Sequence, residues 1–298
     1  MRWKAPLVVL IALAAPGFIG GWIASAPRPL SDGEVAHTAG DAARGARVFH
    51  VGGCASCHAA KGAKGDDRLK LAGGGALATP FGRFQPPNIS PGPDGIGGWS
   101  LAQFDNAMRR GISPDGRHYY PAFPYTSYAR MTAADVADLF AYLKTLPAIA
   151  GKAPASAVSF PYNIRRGIGL WKLAYLDPRP VVTLPAGAAA EVKRGQYLVE
   201  GPGHCGECHT PRTRLGGTDR SRWLAGAPDP EGKGKVPRLA GIRWSAAEIA
   251  EYLKTGFTPD YDSVGGSMVE VQTNLAALPD ADRAAIAAYL KAVPAVKP

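Results

Sequence analysis

Cys54-Ala55-Ser56-Cys57-His58 and Cys205-Gly206-Glu207-Cys208-His209 are two short words that use all four cysteines of the chain, and each closes on a histidine. Two thiols one helical turn apart can each add to a vinyl group on the same porphyrin edge. The histidine that follows then reaches the iron from the proximal side. Cys-x-x-Cys-His is therefore read as a c-type haem attachment site. Its double occurrence, with no thiol left over, predicts two covalently bound haem c groups on Cys54, Cys57, Cys205 and Cys208, with His58 and His209 as proximal ligands. Two other uses of paired cysteines fit less well. A zinc ribbon brings its pairs within a short stretch of chain, whereas these stand about half the chain apart. A thioredoxin-like pair needs a strand–helix–strand setting that the flanking residues do not spell.

The 298 residues suffice for two domains that each bury a core. Glycine (37) and proline (27) exceed average usage, but an apolar content of 46% excludes a disordered chain. The surplus of turn formers suits compact domains whose irregular backbone wraps a large apolar cofactor. With every thiol assigned, no disulfide framework is expected. The formal net charge is +10. No basic helix or aromatic–basic interleaving accompanies it, so nucleic acid is not an expected partner. The excess suits an acidic redox partner or anionic lipid, or serves solubility alone.

Arg2 and Lys4 precede an unbroken apolar run from Ala5 to Ala26. The core of a signal peptide is usually ~7–15 residues, and this run reaches the ~20 of a membrane helix. Ala24-Ser25-Ala26 spells a peptidase site, yet Pro27 directly after it makes poor substrate geometry. Positive charge ahead of the run holds that end in the cytoplasm and sends the rest outward. A retained anchor is expected within residues 1–30, with a removed signal sequence as the alternative, and both export the globular part.

The chain is one domain written twice. Ala43-Arg44-Gly45-Ala46-Arg47-Val48-Phe49 leads into the first haem word, and Lys193-Arg194-Gly195-Gln196-Tyr197-Leu198 into the second. Trp99-Ser100 and Trp244-Ser245 each open a helical stretch that stops at a glycine, Gly111 or Gly256, with proline just beyond. Each half closes on an amphipathic helix, one from Thr132 and one from Asp280, sharing the spelling Ala-Tyr-Leu-Lys at 141–144 and 288–291. No strand-like alternation of comparable length appears. The expected fold is all-α: an anchor in 1–30, a haem domain over 38–150, a linker over 151–189 and a second haem domain over 190–298. The linker carries Ile168, Leu170, Trp171, Leu173 and Tyr175, too much apolar surface for a flexible tether. Packing across both domains is expected of it. A membrane or partner contact using Arg165, Arg166 and Lys172 is the alternative.

The sixth ligand of each iron decides its potential and chemistry. Gly265-Gly266-Ser267-Met268 places the only methionine of the second half in a glycine-rich loop between its two late helices. There the backbone can approach a porphyrin closely, and Met268 is the expected ligand. The matching loop of the first half, Gly116 to Tyr125, holds no methionine.

Pro87-Asn88-Ile89-Ser90, Gly95-Ile96-Gly97-Gly98-Trp99 and Tyr120-Pro121-Ala122-Phe123-Pro124-Tyr125 resemble the cytochrome subunits of membrane-bound alcohol and gluconate dehydrogenases. They are also similar to the cytochromes that serve molybdenum hydroxylases. The likeness covers nearly everything after the apolar run. It implies two tandem class I cytochrome c domains behind an N-terminal membrane helix, held at the bacterial inner membrane with the haem domains facing the periplasm. It also implies single-electron relay from a dehydrogenase to a soluble cytochrome, a quinone site or an oxidase of the respiratory chain. The cofactor supplies that chemistry, so no catalytic side chain is needed beyond the haems.

The resemblance has departures. Members of that group typically carry three haems, and many have methionine where Phe123 stands, so that ligand does not transfer. His118, in the same loop, is taken first as the sixth ligand of the first iron, then Met131, then an unliganded site. Met131 also matches Leu278 of the second half, a core position, and Met108 reads as core. His37, His50 and His204 stand before or beside the haem words, on the wrong face. Two rival functions remain: a dihaem peroxidase, which needs one open iron, and the dihaem subunit of a haem–copper oxidase.

Overall fold

The computed structural model describes residues 17, 19–35, 39–229 and 234–295. Most of the apolar run, 1–16 and residue 18, lies outside them, as does His37. Residues 19–24 are helical. Among the described residues no helix is long and apolar enough to cross a membrane.

The first half comprises α1 (Ala42–Val51), α2 (Cys54–His58), α3 (Leu101–Arg110), α4 (Tyr125–Tyr128) and α5 (Ala133–Leu143). A connecting helix, α6 (Arg166–Tyr175), follows. The second half repeats the plan with α7 (Ala190–Glu200), α8 (Gly206–His209), α9 (Ala246–Thr255), α10 (Met268–Ala276) and α11 (Asp280–Ala292). The expected stops and starts are present. Ser100 and Ser245 cap α3 and α9 through reciprocal bonds with Gln103 and Glu248, and Gly111 and Gly256 end them in the left-handed conformation. Thr132 caps α5 by accepting from Asp135 N.

Helix is not the whole of the secondary structure. β1 (Leu77–Thr79), β2 (Gly82–Phe84) and β3 (Ala157–Val158) form an antiparallel sheet in that order, and β4 (Ala227–Pro228) pairs with β5 (Lys235–Val236). Strands of two or three residues are too short to leave a period-two signature.

In each half the first and last helices cross at a glycine. A Cβ on Gly45 would stand 2.0 Å from Asp138 O, and one on Gly195 would stand 1.8 Å from Ala285 O. Arg44 binds the buried Asp138 at 2.7 Å across the first crossing, and Arg194 binds Asp282 at 2.9 Å across the second. Phe49, Leu71, Ile96, Val136, Leu139 and Leu143 fill the first core. Val199, Leu224, Ile249, Ala287 and Tyr289 fill the second, and Val51 of the first half joins them. The two cores therefore meet behind the first haem word.

The linker packs as expected. On α6, Trp171 lies edge-on to Tyr125 of the first half, while its Nε1 donates to Leu215 O of the second at 2.9 Å. Tyr175 and Thr213 join their hydroxyls at 2.8 Å.

Candidate haem sites

Each haem word begins where a helix must be broken. Gly53, before Cys54, has φ of 58°, and His204, before Cys205, has φ of 39°. This left-handed residue turns the chain from α1 into α2, or from α7 into the short α8. The turn leaves the cysteine pair one helical turn apart. None of the four cysteines forms a disulfide, and among the described residues no cluster of three or more His, Cys, Asp or Glu could hold a bare metal ion.

Both histidines are oriented alike. His58 Nδ1 lies 2.8 Å from Pro87 O, and His209 Nδ1 lies 2.7 Å from Pro237 O. A carbonyl accepts only, so Nδ1 carries the proton and Nε2 keeps its lone pair for a metal. Burial lowers the pKa of both imidazoles, opposed in part by these same bonds. Neutral imidazole is the form that ligates. A fixed, neutral ring beside a free pair of thiols is the donor set a c-type haem requires, and both words present it.

The loops after the words close on them in the same way. Gly73 N donates to His58 O at 3.0 Å, and Gly226 N donates to His209 O at 2.8 Å. Close packing excludes side chains at two more glycines. A Cβ on Gly74 would lie 1.9 Å from Cys57 O, and one on Gly206 would lie 2.1 Å from the Trp223 ring.

In the second half Met268 is the first residue of α10, two residues after Gly266 at φ 58°, and its side chain packs against the second core. The first half is otherwise, and the expectation for His118 needs correction. His118 is 4% exposed, and both its ring nitrogens are engaged: Nε2 with Ser25 O at 2.9 Å and Nδ1 with Lys172 Nζ at 3.0 Å. Lys172 also donates to the carbonyls of Arg110 and Gly111 and lies over the Tyr125 ring. His118 thus ties the loop to α6 and the N-terminal segment, with no nitrogen left for iron. The correction reaches Lys172 too, which is buried and serves no outer surface. Met131 is 3% exposed within the core cluster that contains Ala55 and touches Cys54. Met108 lies in the same core.

The two words also bind each other's domains. Asn274 of α10 donates from Nδ2 to Ser56 Oγ in the first word at 2.8 Å. Ser127 of α4 donates to Glu207 Oε1 in the second at 2.8 Å, joined by Thr126 at 3.1 Å. These contacts are reciprocal in sequence as well: Ser56 and Glu207 hold the same place in their words, and Ser127 precedes Met131 by the interval that separates Asn274 from Leu278. Arg68 and Glu270 pair at 2.6 Å beside the first clasp. His204 Nε2 reaches Gly52 O at 3.2 Å.

Two helical halves, each with a Cys-x-x-Cys-His word whose histidine is held by a proline carbonyl, define a cytochrome of the c type that carries two haems. Comparison with known proteins agrees. The family described as cytochrome c matches residues 42–147, and that described as cytochrome C oxidase, cbb3-type, subunit III matches residues 190–290. A diheme cytochrome c-type protein of Cereibacter sphaeroides is 55% identical over 97% of both chains. The fructose dehydrogenase cytochrome subunit of Gluconobacter japonicus is 39% identical over 85% of this chain and 52% of its own length. A nicotinate dehydrogenase subunit of Pseudomonas putida is 38% identical over 98% of this chain but only 23% of its own. The chain belongs to the dihaem c-type cytochromes, with two covalently bound haem c groups. It is homologous to the cytochrome subunits of dehydrogenases, whose role is electron transfer.

Proposed function

We propose that this cytochrome is a membrane-tethered periplasmic relay, taking single electrons from a dehydrogenase and delivering them to the respiratory chain. The observation that carries the reading is that each haem word is gripped by the opposite half, Ser56 by Asn274 and Glu207 by Thr126 and Ser127, which joins two redox centres in one chain. The names of the relatives, among them fructose and alcohol dehydrogenase cytochrome subunits, support a dehydrogenase as the donor. Cys54 and Cys57 hold the first haem and Cys205 and Cys208 the second, with His58 and His209 as proximal ligands.

Tethering is supported by the apolar run and by what its described end does. Ile19, Trp22 and Ile23 are exposed, and so are Leu170 and Leu173 of α6. The two helices touch: Arg166 lies over the Trp22 ring at 4.2 Å, and a Cβ on Gly169 would meet Ser25 O at 2.2 Å. The apolar residues therefore continue from the run onto α6. Fractionation of cells, followed by an alkaline wash of the membranes, tests this reading. A cytochrome recovered in the soluble periplasmic fraction sinks it.

With His118 engaged elsewhere, Met131 would hold the iron of the first haem and Met268 that of the second. Thioether-to-iron charge-transfer absorption then has two components. Met268→Ala should remove one and Met131→Ala the other. Carbon monoxide binding to the unmodified protein would instead reveal an open first iron and revive the peroxidase alternative.

A further inference from the structure

The duplication is broken at one position where the two haem words touch the opposite domain. The third residue of the word is Ser56 in the first half and Glu207 in the second. Asn274 grips the neutral one and Thr126 and Ser127 grip the charged one. Arg212 completes the site, meeting Glu207 Oε2 at 2.6 Å and Glu207 O at 2.7 Å. The Glu207 side chain is only 12% exposed, and Ser127 is buried. Both carboxylate oxygens are thus fixed between two domains, one residue before Cys208.

Fixed charge in a water-poor setting acts strongly on its neighbours. Charge and hydrogen bonding around a haem or cluster are among the means by which a protein sets its potential. We propose that Glu207 sets the difference in potential between the two haems, with Arg212 as its counterweight and Thr126 and Ser127 as positioning residues. A carboxylate here favours the oxidised, more positive state of the second centre most, because it stands in that centre's own word. The first centre has a neutral serine at the same place and lies across the clasp. Electrons are thereby biased toward the first haem. The assignment rests on the attachment of a haem to Cys205 and Cys208.

The test uses the complete dihaem protein and two single variants, Glu207→Gln and Arg212→Gln. Haem content is counted first, by mass and by pyridine haemochrome. Both midpoints are then followed by spectroelectrochemical titration at mildly alkaline pH and fixed ionic strength. Glu207→Gln keeps an acceptor for Ser127 while removing the charge. It should raise the midpoint of the second haem by about tenfold in its reduction equilibrium, or ~59 mV for one electron. The first should move less. Arg212→Gln should move the same midpoint down. Unmoved midpoints overturn the proposal. So does a shift of the same sign in both variants, which is the mark of damaged packing. A chain carrying one haem overturns the attachment reading and this assignment together.

Discussion

His118 shows how much one residue's surroundings decide. Its ring donates to Ser25 O and accepts from Lys172, so it is held neutral, and burial lowers its pKa below the ordinary 6.5. The unfolded chain protonates this group below pH 6.5 while the folded one resists, so the unfolded state binds more protons there. Stability from this contact is complete above pH 6.5 and is lost as pH falls toward the folded value. Lys172, pulled by burial from 10.5 to about 7, adds a slope of the same sign above neutrality. Denaturant midpoints measured against pH should therefore fall on the acid side in the wild type, and the fall should be shallower in His118→Ala. Haem absorption should be the same in both, which would separate this role from iron ligation. The sequence placed His118 in the right loop, but its partners lie 93 and 54 residues away. No local pattern names a long-range hydrogen bond. Pro87 and Pro237 had a readable signal, since they follow their histidines by 29 and 28 residues.

Among the elements, the helices were the legible part. Caps, stops and the apolar faces of α5 and α11 are local and leave local marks, and the cysteine words announce α2 and α8. The short strands and the role of α4 are tertiary and leave none. The crossing of first and last helices is intermediate: Gly45 and Gly195 stand out in the repeat, yet only the packed structure shows why no side chain fits. Gly195→Ala should cost ~1–3 kcal/mol or more, because its Cβ would strike the carbonyl of Ala285 and backbone cannot step aside like a side chain. Gly45→Ala should do the same to the first half. Chemical denaturation of each variant checks this, and a midpoint equal to wild type would show that the helices separate without loss.

For the molecule as a whole, the net charge of +10 is the property that a partner meets first. A relay must release its partner quickly, so small interfaces and charge-assisted encounter are expected. Screening shortens the reach of exposed charge to about 8 Å at physiological ionic strength. Reduction by the true donor should slow as salt rises to that level, with little change in the final redox balance. A stopped-flow rate indifferent to salt would return the basic excess to solubility and turn attention to the apolar surface of α6. The two clasps that tie each haem word to the opposite half have a consequence of another kind. Residue i on unit one meeting j on unit two, while j on unit one meets i on unit two, is the signature of an isologous homodimer. Here Ser127 with Glu207 and Asn274 with Ser56 obey that rule within a single chain. The protein is in this sense a fused dimer: fusion lets each copy of the shared contact mutate alone, a freedom that two identical subunits never have.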